Sequence, residues 1–223
     1  QVLVGLLAVD DTEVTRMGAI GVGGGTGRGN LALCVHTPDR GIVDSDQAVA
    51  AVPGKGPGQP GGNLVINTSY KIASGALQSS CGGTLPRVSA VAAIYPVVGI
   101  LESYNNPHLA GKIGRQFDEQ YLGGNPDQFP ARYASAQSAN AISAAAPPTL
   151  VVYGGSDHLV PPNGTHNFIA AANRAHIDIR AIELPYSEHG FDVYNTGGVG
   201  AQTWRQSSLA WFSEHVTPSP MQH

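Results

Sequence analysis

The chain has 223 residues, of which 42% are hydrophobic and only 13% are Asp, Glu, Lys or Arg. This composition excludes disorder, collagen and coiled coil, and it predicts one globular domain over residues 1–223. The formal net charge of −4 does not favour binding to nucleic acid or to an anionic membrane, and no apolar run approaches the ~20 residues that cross a bilayer.

The first sixty residues contain few regular patterns. Short apolar runs at residues 2–8 and 31–35 are typical of strands. The glycine-rich stretch 18–29 between them does not match the G-x-G-x-x-G fingerprint followed by a helix, which disfavours a nucleotide-binding protein. Two cysteines, Cys34 and Cys81, are too few for a disulfide framework, leaving either one bridge or two separate buried thiols. The first ten residues have no basic region, so they do not predict an intact signal peptide.

The remaining sequence alternates between strand and helix patterns. Apolar, β-branched runs predict buried strands at residues 88–96, 149–154 and 177–185. Apolar stripes at helical spacing predict helices at residues 63–75, 163–175 and 203–216. This order predicts an α/β fold with a mostly parallel sheet. The polar segment 104–148 predicts short helices at most, and its length is typical of a lid or cap.

Two ionisable residues follow predicted strands at the edge where α/β sheets bind their ligands. Asp157 comes just after the glycines that end one strand, and His189 follows the next strand. An isolated Asp more often caps a turn, and an isolated His is more often a surface or core residue. The pairing favours a catalytic interpretation, because a carboxylate on one imidazole nitrogen leaves the other nitrogen as a general base. We therefore predict a hydrogen bond between Asp157 and His189.

Residues 61–216 resemble the hormone-sensitive-lipase-like esterases of the α/β-hydrolase fold. The resemblance rests on the Gly-Gly-Asn-Leu segment 61–64, the core-strand residues 92–96, the segments 121–126 and 147–161, and the Ser-Glu-His-Gly-Phe segment 187–191. It implies a parallel-dominated sheet flanked by helices and hydrolysis of short-chain or aromatic carboxylic esters through an acyl-enzyme. It also implies Asp157 as the acid, His189 as the base, a small-molecule ester substrate and no cofactor or metal.

The resemblance places the nucleophile at Gln59, or at Pro60 if the alignment slides by one residue. Neither side chain can attack a carbonyl carbon. The family's oxyanion motif has a partial counterpart at Gly24 and Gly25, with Val22 in place of its histidine. Residues 1–60 are therefore atypical or shortened relative to the family. We expect weak or no ester hydrolysis from this chain, and the alternative is a non-catalytic binding protein with the same fold.

Other candidate groups have weaker patterns. Ser69 lies within a predicted helix, and Ser45 has no glycines around it. His158 and His166 share a segment, but no carboxylate or thiol joins them at a spacing typical of metal ligands. The sequence therefore predicts no metal site.

Overall fold

A computed structural model describes residues 61–78, 85 and 87–215, together with the backbone of four short strands near the N-terminus. Several predictions concern positions outside the described residues: Gln59, Pro60, Gly24, Gly25, Ser45 and Cys81.

Strands and helices alternate along the chain. The strands are β1 (Leu3–Leu7), β2 (Gly21–Gly23), β3 (Ala32–Cys34), β4 (Ala51–Pro53), β5 (Val91–Ile94), β6 (Thr149–Gly154) and β7 (Ile179–Leu184). The helices are α1 (Gly61–Ala73), α2 (Ile100–Tyr104), α3 (Leu109–Leu122), α4 (Pro130–Ala136), α5 (Pro162–Arg174), α6 (Phe191–Tyr194) and α7 (Val199–His215), and a 3₁₀ helix covers Ser138–Ala141.

The main sheet has the strand order β4-β1-β5-β6-β7. Strands β5, β6 and β7 are parallel, whereas β1 pairs antiparallel with both β4 and β5. Strands β2 and β3 form a separate antiparallel pair. The parallel strands and the helices that connect them agree with the predicted α/β-hydrolase fold.

The core lies on both faces of β5 and β6, in which every residue is buried. Val91, Ala93 and Val151 face a cluster with side chains of α1 and α5. Ala92 and Leu150, which point to the opposite face, pack in a cluster with Trp204 and Trp211 of α7. Successive strand residues therefore contact different helices, which explains why these strands read as continuous apolar runs.

The predicted elements of the second half agree with the structure within a few residues at their ends. Strand β6 has the predicted bounds, and α5 is displaced by one residue from the predicted range 163–175. Helix α7 begins four residues before the predicted start at residue 203. Element ends are the least regular part of a sequence pattern, because capping and fraying decide them.

The prediction of only short helices in residues 104–148 is wrong, because α3 has 14 residues. Its buried residues are Gly111, Gly114, Asp118 and Leu122, so it lacks the apolar stripe by which an amphipathic helix is recognised. Gly111 allows α3 to approach the preceding turn closely: a Cβ there would lie 2.4 Å from the carbonyl oxygen of Asn106. The lid function of this segment stays a prediction.

Asp118 of α3 is a buried carboxyl group, and Ser103 of α2 forms a hydrogen bond with it. It is 4% exposed, and its Oδ2 has no hydrogen-bond partner among the described residues. Burial raises the pKa of Asp118 to about 7, against a weaker opposing effect of the hydrogen bond with Ser103. The neutral acid is therefore the form that the fold favours.

We expect Asp118 to make the protein less stable as the pH rises from about 4 to about 7. In this range the unfolded chain has lost the Asp118 proton while the folded chain retains it, so the free energy of unfolding falls by about 1 kcal/mol per pH unit. Asp118→Asn, which resembles the neutral acid, removes this contribution. Urea unfolding at pH 4.5, 6 and 8 measures it, with the exposed Asp127→Asn as the control. Parallel pH profiles of wild type and Asp118→Asn would contradict the prediction.

Within the described part of the chain, every helix is too short or too polar to cross a membrane.

Candidate active site

Asp157 lies in the loop after the carboxyl end of β6, and its side chain is 2% exposed. Its Oδ1 accepts the backbone N–H groups of Leu159, at 2.9 Å, and Val160, at 2.8 Å. These bonds fold the loop around the carboxylate and leave Oδ2 directed at a second partner. A buried carboxylate with this many donors is held in one orientation.

His189 supplies that partner from the loop after β7. Its Nδ1 lies 2.8 Å from Oδ2 of Asp157, and its side chain is 27% exposed. The predicted contact between these two residues, 32 positions apart, is therefore confirmed. Because the carboxylate requires a donor, Nδ1 carries the proton and Nε2 of the neutral ring is left as an acceptor.

Backbone hydrogen bonds join the two loops. The N–H of Gly155 donates to the carbonyl oxygen of Leu184 at 2.9 Å, and the N–H of Ser156 donates to that of Ser187 at 3.2 Å. Gly154 allows this approach, because a Cβ there would lie 2.2 Å from the carbonyl oxygen of Ser187. The parallel pairing of β6 and β7 thus continues past the sheet and brings Asp157 and His189 together.

Tyr95, the residue after β5, packs against the imidazole. The two ring centroids are 4.3 Å apart, and the Tyr95 hydroxyl donates to Oδ1 of Asp192 at 2.8 Å. Burial and, after it, the hydrogen bond to Asp192 raise the pKa of Tyr95, so this hydroxyl stays protonated. The backbone of Tyr95 has φ +33°, an unfavourable value for a residue with a side chain. Strain of this kind is often found at functional sites.

Helix α1 begins at the same edge of the sheet. Nδ2 of Asn63, in its first turn, donates at 2.7 Å to the carbonyl oxygens of Val97 and Ala136. Val97 lies two residues after Tyr95, so the N-terminus of α1 is anchored close to the residue that packs on His189. The predicted elbow position, Gln59, is two residues before this helix and outside the described residues.

Two of the weaker candidates can be examined directly. Ser69 is fully buried, and its hydroxyl donates to the carbonyl oxygen of Val65 at 2.6 Å, as a serine inside a helix often does. His166 is exposed and lies 3.1 Å from Oε2 of Glu183. Among the described residues, no group of three or more His, Cys, Asp or Glu side chains is arranged to bind a metal ion.

An open groove of about 580 Å³ lies beside the loop that contains Asp157. Pro161 and Asn163 border it on one side, and Asn106 and His108 on another. Glu102, also in its wall, accepts hydrogen bonds from two side-chain amides, of Gln137 and Asn167. The groove is therefore lined by both polar and apolar groups.

A comparison with models of protein families identifies the family of this chain. The model of the prolyl oligopeptidase family matches residues 86–219, which is more than half of the chain. The chain belongs to the prolyl oligopeptidase family. The matched range includes Asp157 and His189 and begins after the elbow position. This family has the α/β-hydrolase fold, so the predicted fold is confirmed, whereas the closer likeness to hormone-sensitive-lipase-like esterases is not.

Solved structures show the same fold at low sequence identity. An acetyl ester-xyloside bifunctional hydrolase from Caldicellulosiruptor lactoaceticus is 21% identical with a TM-score of 0.53, and the match covers 70% of this chain and 54% of that one. The carboxylesterase Cest-2923 from Lactobacillus plantarum is 16% identical with a TM-score of 0.52, and the match covers 70% of this chain and 56% of that one. An acylaminoacyl peptidase from Pyrococcus horikoshii is 14% identical with a TM-score of 0.51, covering 73% of this chain and 24% of that one.

This member of the prolyl oligopeptidase family thus spans about half the length of the two esterases that it matches. A comparison with curated proteins found no match.

Sequence reasoning missed two residues at this site, Tyr95 and Glu188. Tyr95 was part of the predicted strand 88–96, but the structure ends β5 at Ile94 and turns the tyrosine onto His189. The position of Tyr95 before Pro96 could have indicated the end of the strand, because a proline has no backbone N–H for sheet pairing. Glu188 precedes the histidine in the motif, and its bonds depend on the loop after β6, which the local sequence does not indicate.

Proposed function

We propose that this chain is a carboxylic-ester hydrolase of the serine-hydrolase type in its fold and acid–base pair, with His189 as general base and Asp157 as the residue that orients it, and with the nucleophile missing at position 59. The observation that carries the proposal is the 2.8 Å contact between Nδ1 of His189 and Oδ2 of the buried Asp157. Membership of the prolyl oligopeptidase family supports it independently.

The chemistry follows from the charges at the pair. Nε2 of His189 accepts the proton of an attacking hydroxyl group, and the resulting imidazolium is stabilised by the Asp157 carboxylate through the Nδ1–H bond. The proton then passes to the leaving alcohol as the tetrahedral intermediate collapses to the acyl-enzyme. Water, activated by the same imidazole, hydrolyses the acyl-enzyme in the second half of the reaction.

The attacking group belongs to the elbow before α1. We propose position 59 as the elbow, because α1 is anchored beside Tyr95 and Tyr95 packs on His189. The residue present there is Gln59, whose amide is not a competent nucleophile. The glycines proposed for the oxyanion, Gly24 and Gly25, would supply backbone N–H groups to the developing negative charge.

We propose short-chain or aromatic esters as substrates, and the names of two proteins of similar fold, an acetyl ester-xyloside bifunctional hydrolase and a carboxylesterase, support an ester substrate. The alternative is a peptide substrate, which the name of the family and that of the acylaminoacyl peptidase of similar fold suggest. The test below compares ester with peptide cleavage.

The test measures turnover of p-nitrophenyl acetate and butyrate and of an N-acetylated peptide by the full chain, beside the Gln59→Ser variant. We expect slow or no ester turnover by the wild type and a large gain in the variant, since serine restores an attacking hydroxyl group. A fluorophosphonate probe followed by peptide mass spectrometry identifies the residue that is labelled.

Labelling at position 59 of the Gln59→Ser variant, together with faster ester turnover, supports the proposal. Faster cleavage of the acetylated peptide than of either ester would instead indicate a peptidase. If neither chain is labelled or turns over any substrate, the non-catalytic binding protein becomes the better account.

A further inference from the structure

A second carboxylate–imidazole pair lies next to the first, in the same two loops. Asp157 contacts His189, and the residues that adjoin them, His158 and Glu188, contact each other. The acid is on the β6 loop in one pair and on the β7 loop in the other. The two pairs therefore cross-link the loops in opposite directions.

The Glu188 carboxylate, on the β7 loop, bonds to both the ring and the backbone of His158 on the β6 loop. Its Oε1 contacts Nδ1 of His158, and its Oε2 accepts the backbone N–H of His158 at 3.0 Å. Although partial burial raises the pKa of Glu188, these bonds outweigh burial and hold the pKa below its usual value.

His158 is itself anchored to a buried residue. Its carbonyl oxygen accepts Nδ2 of Asn106 at 2.8 Å, and Asn106 is only 3% exposed. The ring of His108 packs edge-on against the ring of His158, with centroids 4.8 Å apart. Glu188 thus connects the β7 loop, one residue before His189, to a fixed point in the α2–α3 connection.

The segment that carries His189 has few other restraints in its backbone. The last backbone link between the loops is the bond from Ser156 to Ser187, two residues before His189. Gly190, the residue after His189, has φ +76° and begins a reversal of the chain into α6. Between these two points, the Glu188 side chain links the β7 loop to His158 of the β6 loop.

We propose that Glu188 is a positioning residue: its bonds to His158 tie the β7 loop to the β6 loop one residue before His189, so that Nδ1 of His189 stays directed at Asp157. The effect on turnover rests on the proposed function, but the position of the imidazole can be measured without it. An exposed ion pair contributes little to stability, so the main consequence of losing Glu188 is a displaced imidazole. Displacements of about 1 Å at a reacting group lower rates by about 100-fold.

The experiment compares Glu188→Ala and Glu188→Gln with the wild type and with Asp178→Ala. Asp178 is a matched control, because its carboxylate lies 3.1 Å from Nε2 of His215 in another exposed carboxylate–imidazole pair, at the opposite end of β7. The readouts are the NMR signal of the His189 Nδ1–H proton, kcat and KM for p-nitrophenyl butyrate in the Gln59→Ser background, and Tm.

We expect Glu188→Ala to lose or broaden the His189 Nδ1–H signal and to lower kcat by about 10- to 100-fold, with KM within about twofold. Its Tm should stay within about 4 °C of the wild type. Glu188→Gln retains an acceptor for the backbone N–H of His158 and should restore the signal and most of kcat. Asp178→Ala should change none of these readouts.

An unchanged Nδ1–H signal in Glu188→Ala would overturn the proposal, and so would a decrease in Tm well beyond about 4 °C, which would indicate a general structural role. Absence of turnover in every variant would contradict the proposed function alone, because the NMR signal still decides whether Glu188 positions His189.

Discussion

We expect Asp157→Asn to lower kcat for p-nitrophenyl butyrate by about 10⁴-fold, measured in the Gln59→Ser background. The amide can keep an oxygen toward the N–H groups of Leu159 and Val160, and its NH₂ then faces Nδ1 of His189. Nδ1 must become an acceptor, so the proton moves to Nε2, where it blocks acceptance of a proton from the nucleophile. His189→Ala removes the base itself and should cost about 10⁶-fold.

A measurement of folding stability distinguishes a loss of catalysis in Asp157→Asn from unfolding of the variant. Asp157→Asn should fold, because the amide has the shape of the carboxylate and retains its two backbone partners. Asp178→Asn, in the exposed pair with His215, serves as the control and should keep full activity. Turnover that is indifferent to both Asp157 and His189 would contradict the catalytic role proposed for this pair.

Gly154→Ala should lower the free energy of unfolding by about 1–3 kcal/mol and reduce ester turnover as well. The added methyl group would lie 2.2 Å from the carbonyl oxygen of Ser187, which also accepts the N–H of Ser156. Since this carbonyl oxygen belongs to the backbone and cannot rotate away as a flexible side chain would, the β7 loop must move away from the β6 loop. This movement separates His189 from Asp157, so the loss of activity should exceed the loss of folded protein.

The control for this prediction is Gly197→Ala, because nothing lies within 4 Å of a Cβ at that position. Urea unfolding gives the free energies, and the His189 Nδ1–H signal reports whether the pair has separated. A Gly154→Ala protein with the stability and turnover of Gly197→Ala would show that the two loops tolerate a wider spacing than their hydrogen bonds indicate.

The second half of the fold could be predicted because its signals are local. Strand β6 has a continuous apolar run bounded by Pro148 and Gly155, and a run of this kind is typical of a strand buried on both faces. Helix α3 could not be predicted in the same way. Its buried face contains Gly111, Gly114 and Asp118, which become understandable only once Asn106 and Ser103 are seen to pack against them.

Asp157 and His189 were predictable from the sequence because each follows a strand, and parallel neighbouring strands end at one edge of the sheet. The sequence by itself therefore determined the fold class and the pairing of this acid with this base. Only the tertiary structure decided that Tyr95 packs on the imidazole and that Glu188 connects both loops to Asn106. These contacts join residues that are far apart in the chain, and such contacts depend on how three loops meet in space rather than on any local periodicity.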